Sequence, residues 1–527
     1  MLSQRVLLFL MGVAALLPLL GLAVLLWRRY YRDDSANTAR RVVKNSAIPT
    51  ATRLLVRAID MAFALVLYRL LTGTAIGQYD LAALLVVQYL GTFADFGLGT
   101  LLTREVARRP ELGPRYFSTT LLLRWGFALL MLPLAGAIIG VYGGLGALVP
   151  GMQALSADGT AAILILCLTL FPASYNNVVT ALFNARERLE IPAAVELVTQ
   201  IVSVFARVGV LLAGGGVVGL AWAAVGTTTL TTLILLAFQM RLLFPPRFEW
   251  HWDFARTLLR PAFPLLLNSI LINVAFSFDT FILRAFTNDL TVAQYRMPYR
   301  VINVALILTP LLTNAIFPLM ARYAQDDRTA FNRAYRLTLQ MLLLAAFPIA
   351  VATTILAPDL VRLFAGQQEQ AQYLGVSDRA LAILIWFLPL SYVNGLTQYV
   401  LIALNRQSAI TRSFAGMAVF NLLANILLIP FFGIYAASVL TVLSEALLYL
   451  LFLPLLRREG AAQALGLLVW RPALAALLMG AAMLALYSIG WLAAALCAPL
   501  VYLAALWLLG SFGAEERALA RRVLGRS

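Results

Sequence analysis

Several arginines lie deep inside long apolar stretches of the sequence, where a charge is costly. Counted at 1.5 Å per residue, Arg57 stands about 15 Å into its helix, near the middle of a hydrocarbon layer about 30 Å thick. A charge at that depth faces a cavity or a partner. The planar guanidinium group binds two phosphate oxygens at once. We therefore predict a cationic cavity suited to an anionic group such as a phosphate, lined by Arg53, Arg57, Arg124, Arg296 and Arg300.

The spacing of these arginines groups them on helical faces. Arg53, Arg57 and Asp60 follow one another at i, i+4 and i+7 and so share one face. Arg296 and Arg300 share a second face, on a helix that a proline between them bends. The alternative is snorkelling, in which the arginines nearest the helix ends extend to the membrane surface.

Two further arginines occupy equivalent places at the outer ends of apolar segments. Arg69 and Arg284 are expected to anchor the helix edge or to pair with Asp279 or Asp80. Asp95 is expected to satisfy nearby helix ends on the cytoplasmic side.

Three acidic residues inside apolar segments are candidates for ion coupling, namely Asp60, Asp279 and Glu445. Glu445 lies near the middle of its segment, where an isolated carboxylate is hardest to explain. Asp60 is more simply explained as a partner of Arg57, one turn away. The alternative for all three is an internal salt bridge or a silent protonated carboxyl. No cofactor is expected, and coupling would use a Na⁺ or H⁺ gradient or the membrane potential.

The sequence contains no motif for catalysis, nucleotide hydrolysis or metal binding. The single histidine, His251, lies between Trp250 and Trp252, a pattern typical of an aromatic anchor at the membrane surface. Cys167 and Cys497 lie in apolar runs without metal-ligand neighbours, and two cysteines exclude a disulfide framework. We expect no metal site and no enzyme activity.

The composition points to a membrane protein. Of the 527 residues, 62% are hydrophobic and only 12% are charged, and the mean hydropathy is +0.86. Soluble domains carry about 25% charged residues. The net charge of +16 comes from short basic clusters between apolar segments and not from one basic patch. That distribution follows membrane topology and excludes a nucleic-acid partner.

Fifteen apolar segments are long enough to cross a membrane. The first, 5–27, is too long for a signal peptide and lacks a cleavage site, so we interpret it as a retained signal-anchor helix. The others are expected near 47–72, 80–103, 116–142, 160–184, 191–213, 217–240, 258–285, 292–321, 331–357, 379–404, 409–430, 433–457, 465–488 and 490–510.

Basic and neutral connections alternate along the chain, apart from 358–378, which holds Arg362. The basic side is expected to be cytoplasmic, which places the C-terminus inside, the N-terminus outside and the protein in the inner membrane. The longest outer connections, 143–159 and 358–378, are too short to fold alone, which argues against a glycosyltransferase or polymerase.

An internal repeat of six segments spans most of the chain. Pro172-x-Ser174-Tyr175-x-Asn177 recurs 217 residues later in Pro389-x-Ser391-Tyr392-x-Asn394, and three other pairs recur at offsets of 214 to 216. Because six is even, the two lobes are expected to be parallel and related by an axis along the membrane normal. The predicted divisions are an anchor at 1–46, lobes at 47–240 and 258–457, a linker at 241–257, and a helix pair with a basic tail at 458–527.

The order of short motifs near the start of the first lobe resembles the Wzx-type polysaccharide flippases of the MATE/MOP superfamily. The motifs are Leu67-Tyr68-Arg69-Leu70-Leu71-Thr72, Gly77-Gln78-Tyr79, Asp95-Phe96-Gly97-Leu98 and Thr103-Arg104-Glu105. The resemblance covers about 47–510 and implies an all-α fold with two six-helix lobes and a final helix pair. The leading helix is an addition to that pattern.

The resemblance further implies alternating access and a polyprenyl-diphosphate-linked oligosaccharide as substrate. Membrane lipids, a polysaccharide polymerase and glycosyltransferases are the implied partners. Arg57 and Arg300 would face each other across the central cleft and hold the diphosphate. The alternatives are a flippase for a peptidoglycan lipid precursor, a multidrug/cation antiporter of the same superfamily, and a non-transporting scaffold. The antiporter is disfavoured because its cationic substrates would require acidic and aromatic cavity residues.

Overall fold

The computed structural model describes residues 38–148, 154–366 and 369–510. Within these ranges the chain is α-helical and has no β-strand, so the predicted all-α fold is confirmed. The expected helix at 5–27 and the basic tail lie outside the described residues. The helices are α1 Thr38–Leu70, α2 Gly73–Ala83, α3 Gly91–Asp95, α4 Leu98–Arg108, α5 Gly113–Leu148, α6 Ala157–Cys167, α7 Leu170–Ala185, α8 Glu190–Leu212, α9 Gly216–Leu242, α10 Trp252–Ser277, α11 Asp279–Phe286, α12 Asp289–Ala305, α13 Leu308–Asp326, α14 Arg328–Phe364, α15 Gln370–Tyr373, α16 Ser377–Leu384, α17 Phe387–Ala403, α18 Gln407–Arg458, α19 Leu465–Tyr487 and α20 Trp491–Leu508, with a π-helical stretch at Leu84–Leu90 and a 3₁₀ turn at Pro110–Leu112.

Ten helices of the described chain are long and apolar enough to cross a membrane, and twelve if each of two bent helix pairs forms one span. The fifteen expected spans exceed the larger number by three, one of which, 5–27, lies outside the described residues. The arginines and Asp60 of α1 make it too polar for a test of hydropathy alone. The expected spans 409–430 and 433–457 are the two arms of α18, which folds back at Gly433, where φ is 54°. Contacts between Asn421 and Ser444 and between Phe414 and Phe452 join the two arms.

Large apolar side chains cover much of the outer surface of these helices. A water-soluble protein would bury such residues, whereas lipid tails solvate them. The protein is therefore a multi-pass membrane protein. Strongly exposed examples are Leu427, Phe431, Leu496, Leu500 and Trp507.

The motif Asp95-Phe96-Gly97-Leu98 is a break between α3 and α4. Phe96 and Gly97 both adopt left-handed backbone conformations, with φ of 51° and 73°, and the chain bends by 42°. A Cβ atom on Gly97 would lie 2.7 Å from Leu265 Cβ and 2.8 Å from the carbonyl oxygen of Ala262. Glycine is therefore required both by the backbone and by the close approach of α10.

Backbone irregularities recur at the offset of the sequence repeat. The break that separates α6 from α7 recurs between α16 and α17. Glu187 and Asn405 have φ of 57° and 58°, and Gly216 and Gly433 have φ of 55° and 54°. Equivalent positions in the two halves therefore share local geometry as well as sequence.

The chain divides into two compact units. The main segment of the first unit ends at Arg300, and Phe364–Glu369 and Asn425–Ile434 join it. The second unit contains Val301–Leu363, Gln370–Ala424 and the chain from Tyr435 onward. These units do not follow the repeat, because α10, α11 and most of α12 belong to the first. The predicted lobe boundaries stay a prediction.

Candidate functional site

The polar face of α1 carries two arginines, Arg53 and Arg57, with the carboxylates of Asp60 and Glu196 nearby. Arg53 and Arg57 are exposed, and neither makes a hydrogen bond or ion pair with any residue that the structure describes. Asp60 on the same face is half-buried and accepts a hydrogen bond of 2.5 Å from Gln200 Nε2 on α8. The expected Arg57–Asp60 ion pair does not occur among the described residues, and the carboxylate is bound by an amide of another helix.

Helix α8 adds a second carboxylate beside these arginines. Glu196 is exposed and lies within electrostatic reach of Arg53, Arg57 and Asp60. The sequence analysis did not single out Glu196 or Gln200. Their spacing of four residues on one face of an apolar helix is the signal that could have identified them.

A cavity of about 390 Å³ lies between α7, α8 and α9. Ten of its thirteen lining residues have polar side chains, and the other three are Pro192, Val195 and Leu235. Glu196 and Gln200 belong to the lining and connect the cavity to the arginines of α1.

Arg300 is held by a carboxylate and is not a lone cation. Its Nη2 atom lies 2.6 Å from Asp80 Oδ1, and the side chain of Asp80 is only 4% exposed. The side chain of Arg300 remains 31% exposed. Asp80 was expected to pair with Arg69 or Arg284, and its ion pair is instead with Arg300 on α12.

Arg284 pairs with Asp289 at the start of α12, and both residues are buried. Gln78 Nε2 donates to the same carboxylate over 3.2 Å. This arrangement explains the glycine that precedes Gln78, since a Cβ atom on Gly77 would lie 1.7 Å from the carbonyl oxygen of Asp289. The Gly77-Gln78 motif is therefore a close contact between α2 and α12.

The two remaining arginines of the predicted cavity have local partners. Arg124 is 1% exposed, and its Nη2 atom lies 2.5 Å from Asp95 Oδ1, so Asp95 binds an arginine and not only a helix end. The guanidinium group of Arg296 stacks over the ring of Tyr299 at 5.7 Å.

The buried carboxylates Asp279 and Glu445 are both hydrogen-bonded. Asp279 accepts from the backbone N–H of Thr280 over 2.7 Å and from the hydroxyl of Tyr295 over 2.5 Å. Glu445, which is 1% exposed, accepts 2.5 Å from Asn394 Nδ2, and the same amide reaches its backbone carbonyl over 2.8 Å. Asn394 belongs to the repeated Pro-x-Ser-Tyr-x-Asn motif, which was the available signal for this partner.

No cluster of three or more His, Cys, Asp or Glu residues suited to a metal ion occurs in 38–148, 154–366 or 369–510. The site is thus a set of arginines, carboxylates and amides. Chemically it is suited to binding anions and hydroxyl groups.

The amino-acid sequence matches that of a known protein family. The sequence matches the family described as "Polysaccharide biosynthesis protein" over residues 66–372. No curated protein matches the chain at a significant level.

Solved structures of transporters match the fold. The lipid II flippase MurJ in an inward closed conformation matches with a TM-score of 0.69 at 13% identity, over 91% of this chain and 100% of that one. An inward-facing multidrug resistance MATE family transporter of the MOP superfamily has a TM-score of 0.61 at 15% identity, over 80% and 98%. A MOP superfamily transporter from Pyrococcus furiosus has a TM-score of 0.58 at 14% identity, over 79% and 96%.

At these identities the structural likeness establishes the fold, and it confirms the MATE/MOP architecture expected from the sequence. The solved structures that share this fold are transporters. Because the family match spans more than half of its length, this chain belongs to the polysaccharide biosynthesis protein family.

Proposed function

We propose that this protein is a flippase that moves a polyprenyl-diphosphate-linked oligosaccharide from the cytoplasmic to the outer leaflet of the inner membrane by alternating access. The family match supports a role in polysaccharide biosynthesis, and the fold is that of lipid and drug exporters. The chemistry of α1 supports the diphosphate.

One observation carries the proposal, namely the contrast between paired and unpaired arginines. Arg124, Arg284 and Arg300 each have a carboxylate partner within reach. Arg53 and Arg57 form no ion pair or hydrogen bond with a described residue, and Glu196 and Asp60 lie near them without direct contact. An unpaired charge at that depth is costly unless a counterion from outside the protein neutralises it.

A diphosphate group fits this requirement. Its charge must cross a region of low dielectric, where fixed cations replace the hydration that it loses. Two arginines one turn apart offer several forked donors to its oxygens. Asp60 and Glu196 offset part of the positive charge, which helps the arginines to release the substrate after transport.

Arg300 and Arg124 are less suited to bind the phosphate than Arg53 and Arg57. The charge of Arg300 is already balanced by Asp80, and Arg124 is buried against Asp95. In our proposal Arg57 is the principal ligand, Arg53 assists it, and Arg300 joins only if the substrate displaces Asp80. Arg296 is assigned to the same face of α12 as Arg300.

A peptidoglycan lipid precursor is the second candidate, because the solved flippase with the same fold is one for lipid II. Such a precursor carries the same diphosphate, so the arginines of α1 suit both substrates. A multidrug or cation antiporter is less well supported, since the polar cavity beside α1 has no aromatic lining residue. A scaffold would have no use for unpaired arginines.

We further propose that Glu445 is the main candidate for ion coupling. It is buried in α18 and is bound by an amide and not by a cation, so it can gain or lose a proton without breaking an ion pair. Asp279 is held by Tyr295 and Thr280, and Asp60 by Gln200, which leaves them weaker candidates. The polymerase and glycosyltransferase partners remain proposals of the same kind.

Export of surface polysaccharide in a strain that lacks the chromosomal gene tests the proposal. We expect Arg57→Ala to reduce export at least tenfold, and Arg57→Lys to be impaired as well because lysine lacks the forked donors. Arg322→Ala is the matched control, since Arg322 is 79% exposed and distant in sequence from the site. Membrane levels are measured in parallel by immunoblot. Normal export by both Arg57 variants at normal levels would contradict the proposal.

A further inference from the structure

We infer that the polar cavity between α7, α8 and α9 binds the saccharide part of the transported lipid. This inference rests on the proposed function, because it assigns the sugar to a place beside the arginines that would hold the diphosphate. It adds a second subsite, of different chemistry, to the same unit of the chain.

The cavity is large enough for a ligand and unsuitable for an apolar one. Small-molecule sites typically begin near about 300 Å³ and are mostly apolar and aromatic. This cavity measures about 390 Å³, is lined mainly by amides and hydroxyls, and has no aromatic lining residue. A sugar, which is rich in hydroxyl groups, matches that lining better than a hydrophobic drug or an acyl chain.

Most of the cavity's lining groups that are still free to form hydrogen bonds are acceptors. Along α9 the hydroxyls of Thr227, Thr228 and Thr231 donate to the carbonyl oxygens one turn earlier, at 2.7 to 2.9 Å. Their O–H groups are thus used, and their oxygen lone pairs remain free to accept. Glu196 also accepts when ionised. A ligand that brings many O–H donors satisfies these groups, whereas a phosphate, which only accepts, does not.

Other lining side chains have no hydrogen-bonding partner in the part of the chain that the structure describes. These are Asn177, Thr180 and Ser203, one or two from each of α7 and α8. Asn177 is exposed, so its amide is accessible from outside the protein. An amide that both donates and accepts is suited to the hydroxyl of a sugar ring.

Two lining residues link the cavity to the cationic face of α1. Gln200 lines the cavity and donates to Asp60, and Glu196 lines it within electrostatic reach of Arg53 and Arg57. A ligand with a charged end and a neutral hydroxylated end could contact both regions. A lipid-linked sugar diphosphate has that polarity.

The internal repeat shows how the cavity differs from its counterpart. Asn177 corresponds to Asn394, whose amide is taken up by Glu445. At the same offset Glu445 falls on the segment 228–231, where the first half has threonines that line the cavity. In the second half the amide of Asn394 is therefore hydrogen-bonded to a carboxylate. In the first half the equivalent amide of Asn177 is available to a ligand.

The test measures binding of three lipids to purified full-length protein in nanodiscs. The probes are undecaprenyl diphosphate without sugar and the same lipid linked to N-acetylglucosamine or to galactose. The test variant Asn177→Leu/Thr180→Val/Ser203→Ala removes three polar groups while nearly preserving volume. We expect wild type to prefer at least one glycosylated probe, and the variant to bind that probe about tenfold more weakly, which is the effect of losing about one net hydrogen bond. Binding of the sugar-free lipid should not change.

Controls separate the possible failures. Thr229→Val removes an exposed hydroxyl on the same helix that does not line the cavity and should leave all three affinities unchanged. Arg57→Ala should weaken all three probes, and if it weakens none, the diphosphate site is wrong while the cavity result still stands. Equal binding of all probes by wild type, or an equal loss of sugar-free and glycosylated binding in the cavity variant, would overturn the inference. If the triple variant does not fold, the same three affinities are measured for Ser203→Ala, which is the smallest of the three changes, and the same outcomes decide.

Discussion

At the scale of residues, charges in the membrane-spanning helices differ in how they are neutralised. Arg284 and Arg124 are buried and each is held by a carboxylate. Glu445 is buried and held by an amide. Arg57 has no partner in the described chain. The first group is neutralised within the protein, and the last is the arginine that we propose as a ligand of the diphosphate.

The Glu445–Asn394 contact yields a stability prediction. Asn394→Ala leaves a buried carboxylate without its amide donor, which should lower the free energy of unfolding by about 1–3 kcal/mol. Glu445→Gln keeps an acceptor for the amide and should cost less. The double variant should be more stable than Asn394→Ala alone, since it no longer buries a carboxylate that keeps only its hydrogen bond with Ser391. Thermal unfolding in detergent measures the stability of the two single variants and of the double variant. If the double variant is the least stable of them, the Glu445–Asn394 hydrogen bond does not stabilise the protein in this way.

Residue spacing alone identified the shared face of Arg53, Arg57 and Asp60, because a helix fixes which neighbours align. It did not identify Gln200 as the partner of Asp60 or Asp80 as the partner of Arg300. These partners lie 140 and 220 positions away in sequence, and only the packing of helices brings them together.

At the scale of elements, the short motifs that resemble those of flippases act as joints between helices. Gly97 permits the bend between α3 and α4, and Gly77 permits the contact of α2 with α12. The sequence predicted a single span, 80–103, through the Gly97 joint and left Gly77 outside it, whereas the structure has helices at Gly73–Ala83, Gly91–Asp95 and Leu98–Arg108. It did not predict the joints themselves, since hydropathy reports the length of a helix and not its bends.

Gly77 offers a direct test of one joint. Gly77→Ala would place a methyl group 1.7 Å from the carbonyl oxygen of Asp289, so the two helices must separate. We expect a loss of stability of about 1–3 kcal/mol or more, or a failure to accumulate in the membrane. The control is Gly126→Ala on α5, where no atom lies within 4 Å of the new Cβ atom and alanine should be neutral or stabilising. Equal behaviour of the two variants would contradict the close contact.

At the scale of the whole molecule, the pattern of basic connections predicts orientation. In a background of Cys167→Ala and Cys497→Ala, single cysteines at Asp158 and Ala371 should react with a membrane-impermeant maleimide added to intact cells. Cysteines at Arg109 and Asp327 should react only after the membrane is permeabilised. All four positions are exposed in the structure, so burial does not mask the result. Labelling of the cysteines at Arg109 and Asp327 in intact cells would show that the predicted orientation is wrong.

The transport claim itself is tested most directly by reconstitution. Purified protein in proteoliposomes should move a fluorescent undecaprenyl-diphosphate-linked N-acetylglucosamine between leaflets, as measured by the fraction of label accessible to an impermeant quencher. We predict that wild type and Arg322→Ala distribute the labelled lipid equally between the two leaflets. With the same amount of protein per vesicle, Arg57→Ala should do so at least tenfold more slowly. Movement by Arg57→Ala at the wild-type rate, or no movement by wild type above protein-free vesicles, would contradict the account.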